Sequence, residues 1–161
     1  MLTERPKRIL PRVRNRSRAY LITACLLLLA PVVAACTDAD TRRREEIAQR
    51  LVGTWLQEIE REGLKIRLVL NLEKGGTFQQ AVKAVGPDGS SRTEIIAGDW
   101  FFDGETFKRR YLTVNGNRVS GIQFASYQFV SLTDTELACV DHLVEGKREV
   151  KFRRVPDGTS P

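Results

Sequence analysis

The sequence predicts an all-β fold, an antiparallel up-and-down β-barrel with a short N-terminal helix, placed after a signal segment. Three observations carry this. Apolar and polar residues alternate at period two through much of the chain, most cleanly at Leu64, Ile66, Leu68, Leu70 and Leu72. Turn-forming residues recur at hairpin spacing: Gly75 and Gly76, Gly86 to Gly89, Asp103 and Gly104, Asn115 and Gly116, Thr133 and Asp134, Glu145 and Gly146. After the signal segment only one stretch has a helical period, so successive strands pair with their chain neighbours, and closure of the sheet removes its edges. A flattened sandwich is the alternative arrangement of the same strands.

Residues 1–35 read as a signal peptide. Arg5, Lys7, Arg8, Arg12, Arg14, Arg16 and Arg18 precede an apolar run from Ala19 that ends in small residues. Val33, Ala34, Ala35 and Cys36 resemble the lipobox of bacterial lipoproteins. The resemblance implies that Cys36 receives a diacylglyceryl thioether, becomes the mature N-terminus and is acylated there. Two acyl chains suffice for stable anchoring, so the implied partner is a membrane reached through the lipid. Thr37 stands where an Asp would retain such a protein at the inner membrane. The implied location is the outer membrane facing the periplasm in a diderm host, and otherwise the outer face of the plasma membrane. The competing reading is an uncleaved span, but Ala19 to Ala35 would cover only about 26 Å of a ~30 Å hydrocarbon core, and Pro31 interrupts it. Ile22, Thr23, Ala24 and Cys25 form a second lipobox-like match with almost no apolar segment before it, and Cys25 is read as part of the apolar run.

Removal of this segment changes the electrostatics. The chain holds 26 Lys+Arg and 20 Asp+Glu, of which residues 1–36 contain seven bases and one acid. The remainder of the chain carries 19 of each, so no basic surplus argues for nucleic acid as a partner. The 126 residues from Cys36 onward suffice for one domain. Cys139 is left without a disulfide partner and alternates with Leu137, which marks it as a small buried hydrophobe.

Along the domain, residues 36–44 are polar and charged and read as a tether. Glu45 to Val52 offers Ile47 and Leu51 at i,i+4 and predicts a short helix. The barrel domain spans 45–156, with strands expected at Thr54 to Glu60, Leu64 to Leu72, Thr77 to Val85, Arg92 to Ala97 and Asp99 to Phe102. Further strands are expected at Thr106 to Val114, Tyr127 to Leu132, Glu136 to Leu143 and Lys147 to Val155. Residues 157–161 are expected to fray.

Gly53, Thr54 and Trp55, where a short helix leads into the first strand, resemble the G-x-W signature of lipocalins. The resemblance implies that Trp55 closes the barrel base and that an Arg of the last strand packs across it. Alternation with Val150 and Phe152 selects Arg154, and a guanidinium over an indole face supplies the attraction. Leu132, Thr133, Asp134 and Thr135 resemble the Thr-Asp turn of that family, without its following aromatic. The chain is more similar to compact lipocalin-like domains of bacterial lipoproteins than to the longer, disulfide-bonded members.

No catalytic centre is expected. The single histidine, His142, lies on the opposite strand face from Asp141 and Cys139, and no Gly-x-Ser-x-Gly elbow is present. His142 with Glu145 and Asp141 has poor metal-ligand geometry, so no metal is expected, and no phosphate loop calls for a cofactor. Asp99 and Asp103 sit at strand ends as turn formers. Lys108, Arg109 and Arg110 are split across two faces and read as solvated strand charges. What remains is the interior. Ile66, Leu68, Leu70, Phe78, Val82, Tyr111, Phe129 and Leu137 are the expected inward residues, either filling the barrel or lining a site for a small apolar ligand. The first expectation is ligand binding without catalysis; the alternative is a solid barrel that acts on an envelope protein through its surface.

Overall fold

The structure, a computed structural model, describes residues 39–141 and 147–161. The expected signal segment with Cys25, the expected lipid-attachment residue Cys36, and His142 lie outside the described residues.

Helix α1 covers 39–51 and is followed by eight strands: β1 (Gly53–Arg61), β2 (Leu64–Leu72), β3 (Thr77–Val85), β4 (Ser91–Phe102), β5 (Thr106–Val114), β6 (Asn117–Leu132), β7 (Glu136–Asp141) and β8 (Arg148–Val155). Each strand pairs antiparallel with the next, and β8 returns to β1 through Thr54↔Val155, Trp55↔Arg154 and Leu56↔Arg153. The sheet is a closed up-and-down barrel, not a sandwich. The residues from Asp40 to Pro161 form one compact unit.

Several boundaries differ from expectation for local physical reasons. The helix begins at 39 rather than 45, because Asp40 stands three and four residues before Arg43 and Arg44, and Arg42 three and four before Glu45 and Glu46, a spacing that favours helix over tether. The segments on either side of Gly98 are one strand, β4. A Cβ at position 98 would collide with the Arg110 carbonyl, so glycine admits the shift in β4–β5 register without ending the strand. β6 starts ten residues before Tyr127, in a polar stretch without clean alternation that pairs along β5 from Val114↔Asn117. The C-terminal residues are hydrogen-bonded to the outer wall of the barrel. Thr54 Oγ1 donates to Asp157 (2.6 Å) and Arg67 Nε donates to the Ser160 carbonyl (3.2 Å). This path crosses the outward-facing pair Leu56 and Val69, which are only 1% and 6% exposed.

The core occupies the half of the barrel nearest α1. Leu51, Trp55, Leu70, Leu72, Phe78 and Phe152 pack with Trp100, Phe102, Phe107, Leu137, Cys139 and Val150, and Ile47 and Ala48 of α1 close over them. Each fully buried Leu, Val or Phe among them contributes about 1.5–3 kcal/mol by burial. The other half is walled by the continuation of the same strands.

Candidate functional site

At the closed end, Trp55 and Arg154 meet across the β1–β8 seam. The Arg154 guanidinium carbon stands 4.1 Å from the indole centroid. Its Nε donates to the Asp134 carbonyl (3.0 Å) and Nη1 to the Val52 carbonyl (2.9 Å), while Nη2 donates to the Arg50 carbonyl. Trp55 Nε1 donates to the Leu51 carbonyl (2.8 Å). The carbonyls of Arg50, Leu51 and Val52, at the end of α1 and just beyond it, are thus taken by one arginine and one indole. Gly53 is required here: its φ is +129°, and a Cβ would run into Arg154 Nη1. The Thr133 turn joins the same cluster, since Thr133 Oγ1 accepts from the Glu136 amide (2.9 Å) and Asp134 pairs with Arg50 at 3.3 Å.

Halfway along the interior lies a residue that the run of neighbouring bases assigned to solvent. Arg109 is 2% exposed, so its place among solvated strand charges is corrected. Parity explains the position: Arg109 shares its face with Phe107 and Tyr111, and Tyr111 is itself expected inside. Its Nη1 donates to Gln80 Oε1, and its Nη2 donates to Tyr127 Oη (3.0 Å). The guanidinium carbon stands 5.3 to 5.9 Å from the rings of Tyr127, Phe78, Phe107 and Tyr111. It makes no ion pair among the described residues, and its Nε is a buried donor with no partner there. Desolvating a single ion costs several kcal/mol, against about 0.5–2 kcal/mol for each cation–ring contact. The rings and neutral acceptors carry no countercharge.

The eight expected inward residues share the interior face but differ in depth. Leu70, Phe78 and Leu137 are fully packed, and Leu68, Tyr111 and Phe129 are partly buried against them. Ile66 and Val82 stand further from α1 and are half-buried. The register Leu68↔Val82 and Ile66↔Ala84 makes them one wall, on which apolar side chains facing inward retain solvent contact. Burial holds the Tyr111 hydroxyl above its ordinary pKa, with the Arg109 charge acting in the opposite direction.

Other candidate groups are occupied structurally. Cys139 is fully buried, and desolvation pushes its thiol up to about 12, so it is protonated at neutral pH. Asp103 accepts from the Thr106 amide (2.7 Å), the Glu105 amide (3.1 Å) and Lys108 Nζ (2.8 Å). The Lys108 hydrogen bond leads in lowering its carboxyl to about 2. Asp99 pairs with Arg110 on the outer face. A groove of about 590 Å³ between α1 and the β4–β5 turn is lined by charges of both signs, including Arg43, Arg44, Asp40 and Glu105. A second, also about 590 Å³, runs beside Pro161 at Glu58, Lys65 and Lys83.

The fold and site define a closed eight-stranded antiparallel barrel, clasped at one end by Trp55 and Arg154 and holding an arginine in its interior. Comparison with known protein families, with curated proteins and with solved structures finds no match.

Proposed function

We propose that this chain is a lipid-anchored barrel of the cell envelope that binds a small apolar ligand, without catalysis, in the half of its interior away from α1. The observation that carries the ligand-binding reading is the graded burial of the inward apolar residues of β2 and β3. Next to α1 the inward residues are sealed; beyond Leu68 and Val82 they still contact solvent. An eight-stranded barrel is wide enough to be filled by its own side chains or to hold one small ligand, and solvent contact along the inward wall favours the second. The anchor rests on the arginine-rich start, the apolar run and the Val33 to Cys36 signature.

Native mass spectrometry of the gently purified chain tests the pocket: a reproducible co-purifying apolar molecule, displaced by an apolar dye, is the expected result. A chain with neither bound molecule nor dye binding rejects it. Labelling with a clickable palmitate analogue tests the anchor, which is rejected if Cys36→Ala still carries label.

The second reading, an envelope protein acting through its surface, is favoured by exposed apolar residues on the outer wall. Ile122 (79% exposed), Phe124, Val130 and Phe101 all stand in solvent. A bare barrel that captures one defined envelope protein through these residues would support it.

A further inference from the structure

A cation inside an apolar barrel calls for an anion. Arg109 is 2% exposed, makes no ion pair among the described residues, and has a buried Nε donor with no partner there. Arginine stays charged under all ordinary conditions, so the barrel cannot relieve this by losing a proton. Its engaged nitrogens meet only the neutral acceptors Gln80 and Tyr127. The other interior arginine at the closed end, Arg154, is committed to backbone carbonyls. The register sets Asp141 beside Tyr127 on the inward face, where it is engaged otherwise and forms no ion pair with Arg109. One guanidinium balances one negative charge, which suits a carboxylate better than a dianionic phosphate. Beyond Arg109 on the same face, the half-buried Tyr111 leads to the half-buried wall of Leu68, Val82 and Ile96.

We propose that Arg109 recognises an anion within the barrel, and that the ligand is a single-chain amphiphile with a carboxylate head. The head takes the free Nε–H of Arg109, and the chain lies along Leu68, Val82 and Ile96. This rests on the ligand-binding reading above and adds the chemical class of the ligand.

The test uses the full chain in lipid nanodiscs, with ¹⁵N labelling to observe arginine Nε–H groups, and three probes: octanoate, 1-octanol and acetate. The Arg109 signal is assigned by its loss in Arg109→Lys. Octanoate is expected to shift that signal saturably and to bind about tenfold to hundredfold more tightly than octanol, a preference lost in Arg109→Met. Equal binding of octanol and octanoate, with the Arg109 signal unmoved, overturns the anion site while leaving an apolar pocket intact. Binding of neither overturns the pocket as well. A shift by acetate equal to that by octanoate overturns the amphiphile, since the chain then contributes nothing. If Arg109→Met does not fold, the wild-type titration still decides. A purely structural Arg109 predicts that Arg109→Met melts lower than wild type without any probe; an unanswered charge predicts that it melts higher.

Discussion

At the scale of single residues, Arg109 and Arg154 show two ways of placing a guanidinium on an inward strand position. Arg154 spends its donors on the carbonyls that α1 leaves open and lays its plane on Trp55. Its removal loses hydrogen bonds and a cation–ring contact together, so Arg154→Met is expected to destabilise the barrel by roughly 1–3 kcal/mol. In a double-mutant cycle with Trp55→Phe, urea unfolding should show coupling between the two; additive losses would reject a joint clasp. This pairing was implied by the resemblance carried by Gly53, Thr54 and Trp55, and strand parity selected Arg154 over Arg153. The burial of Arg109 was legible by the same parity from Phe107 and Tyr111. It was obscured by Lys108 and Arg110 on either side, which make a run of bases look like a surface.

Among the elements, the β4–β5 turn offers a measurable electrostatic signature. Asp103 holds two backbone amides and Lys108, and its carboxyl is lowered from 3.8 to about 2. A carboxylate depressed in the folded state contributes stability that is fully present above its unfolded pKa and is lost as pH falls through about 2. Its half-open position lets solvent screen the Lys108 contact, so the effect is modest. Asp103→Asn is expected to lower the melting temperature modestly at neutral pH, where the carboxylate's contribution is fully present, and to flatten the acid side of the profile between pH 3.8 and 2. An unchanged acid slope would reject the assignment. In β4, Gly98→Ala is expected to cost about 1–3 kcal/mol in a denaturant titration, because the atom it would strike is the Arg110 carbonyl, part of a strand that cannot move aside. Hairpin turns and the β2, β3 and β5 limits were readable because turn chemistry and alternation are local. The limits of β4 and β6 were not, since a glycine and a polar run break the pattern while the pairing partner keeps the strand going.

For the whole molecule, one closed ladder and one core predict cooperative unfolding. The loss of tryptophan fluorescence from Trp55 and Trp100 should coincide with the loss of the β signal in circular dichroism; separated transitions would indicate that the two barrel halves unfold independently. Sequence alone was enough for the alternation and inward parity of β2, β3, β5, β7 and β8 and for the pairing of chain neighbours, because period and turn residues depend on nearby positions in the chain. Closure decided the rest. Only when β8 meets β1 do Arg154 and Trp55 come together, while the curvature of the sheet turns Gln80 of β3 and Tyr127 of the neighbouring β6 toward Arg109 of β5. Those contacts depend on the diameter and stagger of the barrel, which no local stretch of sequence encodes.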